Sequence, residues 1–259
     1  MSSFLISTLV FPPSPSLLAV NAMAVISLVG LSLIGASEAV GSGHLQYSKF
    51  ANAAASPGKL LLLGLGGGRR VSSRVGMVVL YAPALAAALA AFAFPGMAET
   101  PRGSLFLHRY SGYMIVDSMI VISFSYFMNT VFVIYAQYLS RGVPEPAIDL
   151  KYAGIVLFLV GISGNLYHHV LLSKLRKKDE KGYKIPKGGF FALVICPHYL
   201  FEIIGLLGIS FISPTLNSFA FGLGSAVYLV GRSYSTRKWY CSKFDNFPRE
   251  IKALVPYVF

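Results

Sequence analysis

Charge is scarce in this chain. Asp, Glu, Lys and Arg make up 12% of its 259 residues, about half of what a soluble domain carries, and 55% are hydrophobic. That excludes an ordinary water-soluble globule and points to a membrane protein. Acids are scarcest: ten, against 22 Lys and Arg, for a formal net charge of +12. The basic residues sit in short loops between apolar runs, which argues against a nucleic-acid footprint. They read as positive-inside topology, or as attraction to anionic headgroups or a phosphorylated ligand. Two cysteines, Cys196 in an apolar run and Cys241 in the tail, supply neither a disulfide framework nor a metal-ligand spacing. No Asn-x-Ser/Thr acceptor occurs. No Lys or Arg precedes Lys49, so the basic n-region of a cleaved signal peptide is not expected.

What the chain does have is apolar runs. Six predict membrane-spanning helices, at residues 17–36, 76–95, 114–138, 152–172, 190–212 and 216–231. The expected fold class is all-α, a polytopic transmembrane helix bundle forming one membrane domain. Pro197 is expected to kink the fifth span, and Pro214 to tighten the link to the sixth. The tail, 232–259, alternates basic and aromatic residues and is expected at the membrane interface. The stretch LGLGGGRR has no following Lys-Ser/Thr and no flanking strand, so it is not read as a phosphate loop.

Topology then conflicts with charge. The loops 37–75, 173–189 and the tail carry net charges of +4, +5 and +4. Six spans put the first on one side and the other two on the opposite side, against the positive-inside rule. A further crossing between 97 and 113 would restore it, but that stretch is too short for the roughly 20 residues a helical crossing needs.

Polar stripes run along the last three apolar segments. Asn165, His169, Leu172 and Arg176 share one helical face, as do His198 and Glu202 on the next segment, and Arg232, Thr236 and Tyr240 on the last. Glu202 is the most informative single residue. An acid well inside a span is costly, and by default it faces the interior and binds something. The neighbouring His168 and His169 point about 100° apart on a helix, which disfavours a shared metal.

The pieces GNLYHHVLLSKLR, GYKIPKGGFF, CPHYLFEIIG, GRSYSTRKWYCSKFDNFP and KALVPYVF, in that order over most of 161–259, resemble the steroid 5α-reductase family. That family also includes polyprenol reductases and very-long-chain enoyl-CoA reductases. LQYSKF and LFLHRYSG look like its plant branch. The resemblance implies a seven-helix endoplasmic-reticulum enzyme, C-terminus cytosolic, that uses NADPH to reduce a C=C bond conjugated to a carbonyl. It implies that residues 1–150 line the side of a hydrophobic lipid substrate, while 151–259 hold the cofactor in a pocket at the cytosolic side. Family members carry another helix just before LFLHRYSG, so this chain looks like a member with one span deleted, which accounts for the topology conflict.

Site residues follow from the resemblance. Asn165, Arg176, Tyr183, His198, Glu202, Arg232 and Tyr240 match positions lining the cofactor, with Lys184 a weaker addition. Tyr199 of CPHY matches the proposed proton donor of the enoyl-CoA branch. A neutral Tyr beside the carbonyl oxygen suits that task, because it stabilises the negative charge that hydride addition leaves there. Steroid reductases carry a Gln-Glu pair where this chain has Leu80-Tyr81, which makes Tyr81 the other donor candidate and counts against 3-oxo-steroids as substrates. His169 replaces a usual Asp, and Thr236 a usual His. These departures leave a catalytically impaired or regulatory isoform as the alternative. A membrane S-adenosylmethionine methyltransferase of similar architecture is disfavoured by the KIPKGG and CPHY pieces.

Overall fold

The computed structural model describes residues 16–41, 45, 70–72, 79, 82–83, 86, 113–142, 148–175 and 183–259. Five α-helices dominate them: α1 (Ser16–Val40), α2 (Val116–Leu139), α3 (Lys151–Lys174), α4 (Pro197–Ile212) and α5 (Leu216–Lys243). The helical class expected from the apolar runs holds. One small addition is an antiparallel ladder of β1 (Arg70–Ser72) and β2 (Tyr113–Ile115), with Val71 opposite Met114. Among the described residues, three helices are long and apolar enough to cross a membrane: α1 from Asn21, α2 and α3. Their outward faces are greasy, with Phe124 and Val156 about three-fifths exposed, as lipid contact requires.

Two expectations are corrected. The fifth apolar run does not form one kinked helix from 190. Gly188 and Gly189 take positive φ, Gly189–Ala192 form a single 3-10 turn, and α4 begins only at Pro197. Proline has no N–H to donate and fits the first helical turn, so here it starts the helix instead of bending it. At 16 residues, α4 is about 24 Å long, short of the ~30 Å hydrocarbon core. The sixth run, conversely, does not stop at Gly231. Thr215 caps it by accepting from the Ser218 N–H, and neither Gly nor Pro interrupts 232–243, so α5 continues through Arg232, Thr236 and Tyr240 to Lys243. The second predicted span, most of the first loop and the 98–112 stretch lie largely outside the described residues.

Glycines set the packing. A Cβ on Gly161 would overlap the Gly205 backbone, and one on Gly154 would lie 2.8 Å from the Gly208 carbonyl oxygen, so α3 and α4 meet nearly backbone to backbone. The same device joins α1 to α5, where Gly35 abuts Tyr228 and Gly231. With lipid as apolar as the side chains, such close approach supplies the van der Waals contact that holds spans together. Beyond α5 the chain folds back. Ile195 N–H donates to the Lys252 carbonyl at 2.9 Å, Cys196 N–H to Ala253 at 3.2 Å, and Lys252 N–H to Leu193 at 2.9 Å. This parallel contact closes an apolar cluster of Ile195, Cys196, Tyr240, Phe247, Ile251 and Leu254 under the start of α4.

Candidate functional site

The entrance to α4 is shaped by the two glycines of the KGGFF turn. A side chain at Gly189 would put its Cβ 2.8 Å from His168 Nε2, so the turn can close on that ring only with glycine there. His168 Nε2 accepts the Phe190 N–H at 3.1 Å, which makes Nδ1 the protonated nitrogen, and Nδ1 donates to the Gly164 carbonyl at 2.7 Å. The ring is stacked on Phe201, 5.2 Å between centroids, with Phe190 and Phe191 edge-on. His168 is thus a packed pin between α3 and the turn, whereas its neighbour His169 faces the candidate site.

Around that entrance several of the singled-out residues meet. Asn165, 1% exposed, donates its amide to the His198 carbonyl at 2.8 Å, bolting α3 to the first turn of α4. Among the described residues its buried Oδ1 accepts no hydrogen bond. The His169 ring meets the His198 ring edge to face at 4.8 Å, and His198 lies 4.2 Å from the Tyr199 ring. Tyr199 is partly buried and packs on the apolar cluster that includes Tyr240. Tyr240 in turn donates to the Lys184 carbonyl at a long 3.4 Å, and Tyr183 sits edge-on to Trp239, 4.7 Å away. Asn165, His169, His198, Tyr199, Tyr183 and Tyr240 therefore form one connected surface from α3 across α4 to the end of α5. Arg176 and Tyr81 lie outside the described residues.

Glu202 and Arg232 are engaged by other helices. One turn below His198, Glu202 Oε1 accepts the Tyr126 hydroxyl of α2 at 3.2 Å. Arg232 is 1% exposed, and its Nη1 donates to Glu38 Oε1 of α1 at 2.6 Å and to the Leu45 carbonyl at 3.2 Å. The same Glu38 oxygen accepts the Leu45 N–H at 2.9 Å, and the Glu38 carbonyl accepts the Ser235 hydroxyl. Buried charge is tolerated when paired and hydrogen-bonded, and Nη1 of this arginine is both. Tyr126 and Glu38 were missed by the sequence reading. Glu38 had a signal, being the sole acid of an otherwise uncharged N-terminal run; Tyr126, one of 15 tyrosines, had none.

The sequence profile of 3-oxo-5-alpha-steroid 4-dehydrogenase matches residues 113–259, more than half of the chain. Individual proteins are similar over part of the chain. A steroid 5-alpha-reductase DET2 of Gossypium hirsutum is 38% identical over 108 residues, 41% of this chain and 42% of that protein. The 3-oxo-5-alpha-steroid 4-dehydrogenase 2 of Sus scrofa is 32% identical over 126 residues, 48% and 50% of the two chains. The 3-oxo-5-alpha-steroid 4-dehydrogenase 1 of Rattus norvegicus is 34% identical over 124 residues, 48% and 47%. The chain thus spans about half the length, or somewhat less, of the curated relatives it matches.

Proposed function

Because the chain belongs to the 3-oxo-5-alpha-steroid 4-dehydrogenase family, we propose that it is a membrane reductase that uses NADPH to saturate a C=C bond conjugated to a carbonyl in a hydrophobic lipid. The observation that carries this reading is the Asn165 amide. It is buried at the junction of α3 and α4 beside His169, His198 and Tyr199, with Oδ1 left as an unmatched acceptor. An acceptor buried without a donor costs about 1–3 kcal/mol. A dinucleotide rich in N–H and O–H groups is a ligand that supplies one, so the residues present fit the cofactor.

In this reading Asn165, His198, Tyr183 and Tyr240 hold the cofactor along the α3–α4–α5 surface. Lys184 and Arg176 meet its phosphates, and Glu202 accepts from an uncharged part. Bound NADPH supplies the hydride. Arg232 is poorly placed to meet a phosphate, because Glu38 already neutralises it and both are buried. Tyr199 is the proposed donor to the substrate carbonyl: packing against His198 and the apolar cluster fixes its ring, and a hydroxyl in a dry site stabilises developing oxyanion charge. Tyr81 stays the second candidate for that role. The names of the relatives put a 3-oxo-steroid with a conjugated double bond first among substrates to try, and the absent carboxyl at Leu80-Tyr81 puts polyprenals and long-chain enoyl thioesters beside it. We further place the site on the cytosolic side of the helix bundle in the endoplasmic reticulum, with the tail cytosolic.

The test is a melting curve of the purified chain in detergent with NADPH, NADH or S-adenosylmethionine. At about 100 times its dissociation constant NADPH should add roughly 2.7 kcal/mol of stability. Stabilisation by none of the three would reject the reductase reading. Stabilisation by NADPH without turnover of any of the three lipid classes would favour the catalytically impaired isoform, the reading that the Leu80-Tyr81 departure supports.

A further inference from the structure

Glu202 has a partner that no sequence spacing connects to it. Tyr126 lies near the middle of α2, 76 residues earlier, and its hydroxyl donates to Glu202 Oε1 at 3.2 Å. One turn before that contact, Ser123 donates its hydroxyl to the Val79 carbonyl at 3.0 Å, which ties α2 to another segment of the chain. The tyrosine is therefore presented to α4 from a segment anchored on one side.

A carboxyl group swings freely about its last torsion until one oxygen is held. Tyr126 holds Oε1, which fixes the plane of the group and the direction of Oε2. Among the described residues Oε2 accepts no hydrogen bond. The ligand class facing it follows from charge. A carboxylate repels phosphate, and the basic residues gather in the loop before α4, at Lys184 and Lys187, whereas Glu202 stands inside the helix beyond His198. A phosphate-bearing dinucleotide lying along this surface must turn its uncharged end toward Glu202. In a nicotinamide cofactor that end carries a carboxamide with two N–H donors.

We propose that Tyr126 is a positioning residue for the nicotinamide end of the cofactor, acting through Glu202 by aiming Oε2 at the carboxamide. The assignment rests on the reductase reading above. It predicts a selective defect. Tyr126→Phe keeps the ring and removes only the hydroxyl, so the freed carboxyl loses its aim while the phosphate contacts stay as they were.

The experiment compares NADPH with 2′-phospho-ADP-ribose, which has every part of the cofactor except the nicotinamide, on the full chain in detergent. Tyr126→Phe should weaken NADPH about tenfold and leave 2′-phospho-ADP-ribose within about twofold, the range expected for a hydrogen bond to a charged group. Unchanged NADPH affinity would overturn the proposal. An equal loss for both ligands would also overturn it, marking Tyr126 as a mere staple between α2 and α4. Should Tyr126→Phe prove too unstable to purify, Glu202→Gln decides by the same comparison: it removes the Oε2 acceptor and must show the same selective loss. A wild-type chain that binds neither ligand would sink the cofactor reading itself, a result distinct from either failure of Tyr126.

Discussion

Arg232 and Glu38 are the largest polar investment in the described residues, two opposite charges with 2% and 0% of their side chains exposed. Removing one partner leaves the other charged in an apolar surround, so Glu38→Ala should cost about 3–5 kcal/mol. Thermal unfolding in detergent measures that loss. Replacing both by Leu should cost much less, because no buried charge is then stranded. The importance of Arg232 was legible, since a basic residue four positions before Thr236 and eight before Tyr240 marks a polar stripe. Its partner was not, because 194 residues separate the pair and no local period spans that distance. His168 is a similar case. The sequence put His169 on the polar stripe and disfavoured a shared metal but gave His168 no role; ring stacking and two hydrogen bonds make His168 a structural pin and leave His169 toward the site.

Helix pairs are decided by glycine spacing. Gly161→Ala should separate α3 from α4 and destabilise the chain by about 1–3 kcal/mol, the usual consequence of overpacking. Gly30→Ala on α1 has no atom within 4 Å of the added carbon and should be neutral or gain up to about 1 kcal/mol from helix propensity. Denaturant or thermal titration of the two variants side by side checks the contrast. A loss at Gly30 as large as that at Gly161 would mean that propensity, not close approach, governs these helices. Helix existence was legible from apolar runs, and α2 and α3 match their predicted spans to within two residues at either end. The ends of α4 and α5 were not. Hydropathy shows how long a chain stays apolar, but Pro197 starts α4 seven residues into its run and α5 continues through charged residues once Glu38 neutralises Arg232.

Across the whole molecule the helix directions give a connected path. α3 leaves through the basic stretch after Lys174, α4 returns from Pro197, and α5 runs back to Lys243, so the basic stretch, the start of α4 and the end of α5 lie on one side. Cys241 is exposed near that end and Cys196 is buried at the α4 entrance. In sealed vesicles with the cytosolic face outward, an impermeant maleimide should label Cys241 and spare Cys196 until the chain is unfolded. Labelling of Cys241 only after the vesicles are opened would reverse the proposed orientation. This side of the candidate site was partly readable: the resemblance covered most of 161–259, and of the residues it marked Asn165, Tyr183, His198, Tyr199 and Tyr240 lie together, while Glu202 and Arg232 are held by α2 and α1. The missing-span expectation falls on residues outside those described, as do Tyr81 and Arg176.

On the ribosome, residues 193–196 emerge long before 251–254. Until the later stretch arrives, the N–H groups of Ile195 and Cys196 have no carbonyl to meet, and the cluster beneath α4 lacks Ile251 and Leu254. Every helix can be in the bilayer while the entrance to α4 still stands open. A chain cut before Ile251 would keep the described helices yet be unfinished at the place where catalysis is proposed, with apolar side chains of the cluster uncovered. Arrival of 251–254, not insertion of α5, is what completes the entrance to α4.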